Sequence, residues 1–264
     1  MARRNRFAPP GYWLHLTQRG NYRQTVFSSD ADRQHFLSLL ETHSEERGVR
    51  MAAYTLMSNH FHLVVAGDRP DAVSLFMMNV NGQYSAYRHA VQKLRGHLWQ
   101  GRFFSCVLHD DHWATALRHV EMNPVRARLC PAAADYRWSS ARAHLDLTPP
   151  PAWLDTAQFN RHWPTPAHWQ QSLATLTRRE AAALRQATRA DAALGSDEFI
   201  AKLEQLRNPT QPPTHSAGPA NRPPPASFDP LSASPPGPSP KSSIAKPTPP
   251  GMDEEADLHR PQCL

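Results

Sequence analysis

The segment Ser58-Asn59-His60-Phe61-His62-Leu63-Val64-Val65 holds the residues best placed to do chemistry. Side chains on a β-strand alternate between the two faces, so His60 and His62 point the same way while Phe61 points into a core. Two imidazoles side by side on a rigid element suit a divalent metal such as Mg, Mn or Zn. A third ligand has to come from elsewhere in the chain. Asp111 to Asn123 reads as a helix ended by Pro124, with His119 and Asn123 one turn apart on one side. Trp113, Leu117 and Val120 form an apolar stripe on the opposite side, so His119 or Asn123 is free to approach the metal.

The elements that must position these residues follow from local pattern. Tyr12 to Gln18 alternates bulky and polar residues and ends at the turn signal Arg19-Gly20-Asn21, which predicts a first strand. Ser29 or Asp30 caps a helix running to about Arg47, with Phe36, Leu37, Leu39 and Leu40 along one side and Gly48 as its stop. Val49–Met57 and His60–Ala66 are strands joined by the short turn Ser58-Asn59. A long helix over 71–94 carries Val73, Phe76, Met77, Val80, Tyr84 and Tyr87 at helical spacing, and Arg102–His109 is a fourth strand. The order β-α-β-β-α-β predicts an α+β, ferredoxin-like split βαβ fold: an antiparallel sheet with helices on one face and an added helix. The strand bearing His60 and His62 then lies mid-sheet, a stiff platform for a site.

Domain organisation is expected as follows. Residues 1–11 are a flexible N-terminus, and 12–145 are the domain carrying the histidines. Residues 146–207 form a loop-rich connector punctuated by Trp153, Trp163 and Trp169, then a helical accessory segment. Its two helical stretches, separated by Gly195-Ser196, either pack on the core or form a helix-turn-helix-like module. From about Asn208 to Leu264 prolines are frequent and Trp and Tyr are absent, which predicts a disordered tail.

Of 29 basic residues only Lys93, Lys202, Lys241 and Lys246 are lysine, and the net charge is +6. Such an arginine-rich surface suits phosphate, although a GC-rich genome writes the same bias. Cys106, Cys130 and Cys263 are odd in number and widely spaced, which argues for a reducing compartment and against a disulfide framework or a cysteine zinc site. No apolar run is long enough to span a membrane, and no signal-peptide core follows the basic start, so the expected location is cytoplasmic.

Tyr54-Thr-Leu-Met-Ser-Asn-His-Phe-His-Leu-Val-Val, Leu98-Trp-Gln-Gly-Arg-Phe and Asn123-Pro-Val-Arg-Ala stand in an order and spacing that resembles the HUH single-tyrosine transposases. The branch of REP-associated tyrosine transposases is the most similar. Arg19-Gly20-Asn21 and Trp138-Ser139-Ser140 also look like family landmarks, and Leu194 to Phe199 resembles a segment often found after this domain. The resemblance covers roughly residues 12 to 145. It implies that His60, His62 and Asn123 hold a divalent metal, Mg or Mn, which polarises a scissile phosphodiester. It also implies that a tyrosine attacks single-stranded, hairpin-bearing DNA to leave a 5′-phosphotyrosine link and a free 3′-hydroxyl. Family members work as monomers or as homodimers.

One position departs from the family pattern. The nucleophilic tyrosine is expected one helical turn before Asn123, where this chain has His119. Three expectations follow: His119 acts as an unusual nucleophile or metal-side helper, Tyr84 or Tyr87 serves instead, or strand cleavage is lost and a DNA- or RNA-binding relative remains. Arg19, Arg23, Arg102, Arg118 and Arg126 flank the motifs and suit phosphate contacts. Trp99 and Phe103 either stack on unpaired bases or pack in the core. A metal-dependent hydrolase acting on a small molecule is the reading from another class, and it lacks an obvious carboxylate base beside the histidines.

Overall fold

A computed structural model describes residues 6–93 and 95–208 of the chain. The expected disordered tail, from 209 on, and the start of the N-terminal segment lie outside the described residues. The elements are β1 (Trp13–Arg19), α1 (Asp30–Arg47), β2 (Val49–Leu56), β3 (His60–Gly67), α2 (Ala72–Gln92), β4 (Phe104–Leu108), α3 (Asp110–Glu121) and the short α4 (Asn123–Arg126). After these come α5 (Ala141–His144), α6 (Ala157–His162), α7 (Pro166–Ala174), α8 (Arg178–Ala190), β5 (Ala193–Leu194) and α9 (Asp197–Arg207).

The sheet runs β2-β3-β1-β4-β5, so β1 and β3 are its centre, as the split βαβ order requires. Strands β1 to β4 pair antiparallel, while β4 and β5 pair parallel. Alternation along β1 and β3 sorts their side chains between two cores. Leu14, Leu16, Phe61, Leu63 and Val65 face one core, where Phe36 and Leu40 of α1 and Val73, Phe76, Val80 and Tyr84 of α2 meet them. Trp13, Val64, Ala66, Cys106 and Leu108 face a second core with Trp113, Ala116, Leu117 and Val120 of α3, Trp169 of α7 and Leu184 of α8.

Helices therefore cover both faces of the sheet, a correction to the one-sided arrangement expected from the element order. The reason lies in β3 itself. Beyond His62 its residues Leu63-Val64-Val65-Ala66 are apolar on both faces, and a strand of that kind must be covered twice. The two late helical stretches also separate. Leu184 of α8 joins the second core, whereas Phe199 and Leu203 of α9 join the first. They are not a helix-turn-helix. Between them the chain adds β5 to the sheet edge, where its sequence alone suggested only a helix end.

Local signals set the element ends. Ser29 caps α1 reciprocally with Asp32, and Gly48 ends it in the left-handed region at φ 64°. Asp32 also receives the backbone N–H of Ser28 (2.7 Å) and Nη1 of Arg88 from α2 (2.5 Å), with both charged side chains only 2% exposed. This buried pair pins the start of α1 to α2. Burial raises the Asp32 pKa, but the Ser28 amide and the Arg88 guanidinium outweigh it and hold the carboxyl below its usual value.

Asp32→Ala leaves Arg88 charged and unpaired in the core, which is expected to cost about 3–5 kcal/mol in urea unfolding. A depressed carboxylate pKa contributes stability that is present above about pH 4 and is lost as pH falls through the lower folded value. Part of the acid sensitivity below pH 4 should therefore vanish in Asp32→Ala. Wild-type stability or an unchanged acid limb would contradict this role.

Candidate metal and nucleic-acid site

Strand register brings the site together. Across β1 and β3, Arg19 lies opposite His60, Thr17 opposite His62 and His15 opposite Val64, all on the sheet face away from α1 and α2. The turn before β3 is tied down on both sides: Ser58 O accepts from the Val26 and Phe27 amides, and Asn59 O accepts from Gly20 N. A Cβ at residue 20 would stand 2.4 Å from Gln24 O, so only glycine allows this close return of the chain. Asn59 then orients its neighbour, since His60 Nδ1 donates to Asn59 Oδ1 at 2.6 Å, which puts the lone pair of the neutral ring on Nε2.

His62 is held at both nitrogens. Asn123 Nδ2 donates to its Nε2 (3.0 Å), so the proton sits on Nδ1 and is donated to His15 Nε2 (2.9 Å). His15 Nδ1 in turn donates to Thr188 Oγ1 (2.8 Å), whose hydroxyl donates to Leu184 O (2.7 Å). Burial keeps these rings neutral. It pushes the His15 pKa down to about 3, and burial together with the charge of Arg19 pushes His60 down to about 4, although a hydrogen bond to Asn123 acts the other way. His62 falls well below the ordinary histidine range through burial, then through His15 and His60.

Neutral imidazoles with an outward Nε2 are what a metal requires, and a fixed Nδ1 hydrogen bond is the usual way such ligands are oriented. His60 and His62 could each offer an imidazole nitrogen to a divalent cation, and Asn123, whose Nδ2 stands 3.0 Å from His62 Nε2, lies beside them. The nitrogens of His15, His62 and His119 also lie within 4.8 Å of one another. In that inner group, however, His15 and His62 are already joined by a hydrogen bond, which suits support of His62 rather than a second ion.

His119 is not where the helical spacing predicted. The α3 helix ends at Glu121, and the chain restarts at Asn123-Pro124 as α4, because proline lacks the N–H that would continue the first helix. His119 and Asn123 thus belong to different helices. His119 is fully buried, accepts from Arg126 Nη1 at 2.9 Å through Nδ1, and lies edge-on to the rings of His15 and His62. Its Nε2 is buried without a hydrogen-bond partner, and the residue does not line the cleft above the site. Tyr84 and Tyr87 are on the far side of the sheet, bonded to Val26 O and Asp32.

That cleft encloses about 820 Å³ and is lined by Arg19, Arg23, Arg126, Arg185 and Arg189 together with His60, His62 and Asn123. Among the described residues no acidic one lines it. Burial and the neighbouring Arg23 and Arg189 lower the Arg19 pKa, and burial and Arg185 lower that of Arg126. Of the arginines expected here, Arg118 is turned away, with Nη1 on Thr175 Oγ1 (2.8 Å) and Nη2 facing Glu180 at 3.6 Å. Arg102 is exposed and does not line the cleft, although Gln100 and Phe104 on either side do. Trp99 and Phe103 pack in the first core.

Sequence reasoning missed His15, Asn59, Tyr22, Thr188, Arg185 and Arg189. For His15 the signal was present, since His15, Thr17 and Arg19 alternate on a strand next to β3. For α8 no local signal exists, because its arrival at the cleft depends on packing.

Residues 10–123 match the family profile described as transposase, IS200-like. No curated protein matches the chain. A REP-associated tyrosine transposase bound to a REP hairpin is similar at 17% identity, over 53% of this chain and 82% of that one, with a TM-score of 0.45. A protein of Deinococcus radiodurans R1, described as a candidate transposase, is similar at 16% identity over 46% and 96%, with a TM-score of 0.33. Among the described residues no helix is long and apolar enough to cross a membrane.

The buried neutral histidines make a pH prediction for stability in metal-free buffer. A histidine whose folded pKa lies below its unfolded value of about 6.5 contributes stability that is complete above that pH and is lost as pH falls towards the folded value. Each such ring adds a slope of about 1.4 kcal/mol per pH unit. His15→Leu should therefore flatten the loss of urea stability between about pH 6 and pH 4 by roughly that slope. An unchanged slope would mean that His15 is not buried as a neutral ring.

Proposed function

With residues 10–123 belonging to the IS200-like transposase family, we propose that this chain binds single-stranded DNA, or a hairpin that carries a single-stranded flank, in the arginine-lined cleft. In this reading His60, His62 and Asn123 hold a divalent metal, Mg or Mn, beside a phosphodiester that is cut and rejoined through a covalent protein–DNA intermediate. The observation that carries it is the coincidence, in one cleft, of five arginines without a carboxylate and of two neutral, pre-oriented histidines. When bound, the metal supplies Lewis acidity at a phosphate oxygen. The protein supplies the rest. Arg19, Arg23 and Arg126 neutralise phosphates, Arg185 and Arg189 do so from the opposite wall, and Arg102 extends the same basic surface. The missing carboxylate base counts against a small-molecule hydrolase.

His119 favours a second reading, a DNA- or RNA-binding relative in which cleavage is lost. Burial removes His119 from the list of attacking groups, so this reading holds if no other nucleophile serves. The two readings differ in one respect only, the covalent intermediate.

Titration of a labelled hairpin with a single-stranded flank, with and without Mn, tests both by mobility shift and denaturing gel. Binding is expected to weaken steeply with salt, because each neutralised phosphate releases a counterion. Arg126→Ala should weaken binding and reduce the salt slope by about one unit, whereas Arg118→Ala should leave both unchanged. Salt-insensitive binding, or equal effects of the two variants, would contradict the cleft as the DNA site. A covalent adduct that disappears in His60→Ala supports strand transfer; binding that survives His60→Ala, with no adduct in any variant, supports the second reading.

A further inference from the structure

We propose that Tyr22 is the attacking nucleophile of this site, taking the part that the residue at 119 does not fill; the proposal rests on the strand-transfer reading above. Of the six tyrosines in the chain, Tyr22 is the one that lines the cleft with His60, His62 and Asn123. It is 95% exposed, and its hydroxyl has no partner among the described residues. The others are committed elsewhere. Tyr84, Tyr87 and Tyr136 donate to Val26 O, Asp32 and Leu56 O, Tyr54 is buried, and Tyr12 packs on Phe199.

The backbone around Tyr22 is held in a costly shape. Tyr22 and Arg23 both have positive φ, 49° and 60°, a left-handed region that non-glycine residues rarely adopt. Four tethers keep the turn there: Asn21 N on Leu98 O, Gln24 N on Asn21 O, Gly20 N on Asn59 O, and Asn59 Nδ2 on Arg23 O. Asn59 also orients His60, so one residue fixes both the metal-side histidine and the turn bearing the phenol. Such strain persists where the surroundings over-determine it, commonly at functional sites.

The chemistry balances without an added reagent. The Tyr22 Oη–H gives its proton to solvent, and the Oη–P bond forms as the P–O3′ bond of the DNA strand breaks. The departing 3′ oxygen takes up a proton, which leaves a phosphotyrosine ester on the 5′ side and a free 3′-hydroxyl. Arg19 and Arg23, in the same cleft, stabilise the charge that builds on the phosphate. Reversal of the same step rejoins the strand with no nucleotide cofactor.

The full chain is incubated with hairpin DNA and Mn, and any adduct is mapped by peptide mass spectrometry. The adduct is expected on Tyr22, and Tyr22→Phe, which keeps the ring, should abolish it while hairpin affinity stays unchanged. A readout free of metal chemistry is nitration by tetranitromethane in EDTA, where bound hairpin DNA should protect Tyr22. An adduct on another residue, an adduct that persists in Tyr22→Phe, or absence of protection overturns the proposal. So does loss of both adduct and affinity in Tyr22→Phe, which assigns the phenol to binding. An adduct mapped to another residue sinks the Tyr22 proposal alone, whereas hairpin binding without any adduct sinks the strand-transfer reading with it, and absence of hairpin binding removes the cleft as the DNA site.

Discussion

Everything at the site hangs on His62, a ring held from both sides. Its Nε2 accepts from Asn123 and its Nδ1 donates to His15, which passes the next hydrogen bond to Thr188 and from there to Leu184 O. The run ties α4, β3, β1 and α8 into one unit and fixes a single tautomer at each ring. A neutral hydrogen bond contributes only about 1 kcal/mol net, but a buried partner left unpaired costs about 1–3 kcal/mol. The network is therefore worth more as a constraint on geometry than as a source of stability.

The neutrality of these rings and the charge of the cleft are linked. Five guanidinium groups surround the histidines without a carboxylate among them, so protonating any ring would add a like charge in a buried place. The same uncompensated charge makes the cleft unfavourable when empty of anions and receptive to a polyphosphate chain. Burial first, and then that repulsion, lowers two of these groups: Arg23 and Arg189 act on Arg19, and Arg185 acts on Arg126. Structural ion pairs are placed elsewhere: Asp32 with Arg88 under the opposite sheet face, and Glu180 with Arg118 away from the cleft.

The second core explains why α8 belongs to the site at all. Leu184 is buried beneath it, and that anchoring faces Arg185, Thr188 and Arg189 towards the cleft within little more than one helical turn. None of these residues lies within the span that matches the IS200-like transposase family. The chain after residue 145 thus contributes one wall and one hydrogen-bond anchor of the site.

Much of the fold was legible in the sequence because its signals are local. Alternation placed His60 and His62 on one face and Phe61 on the other, Ser29 and Gly48 marked the ends of α1, and the element order led to β1 and β3 at the centre of the sheet. What only the tertiary structure decided concerns contacts between distant segments. His15 became the partner of His62 through strand register, His119 turned inward because Pro124 split the helix and Arg126 took its Nδ1, and Tyr22 reached the cleft through a turn tethered to Asn59. Period and propensity report on a residue and its near neighbours, whereas the second partner of a buried polar group is chosen by packing across the whole sheet.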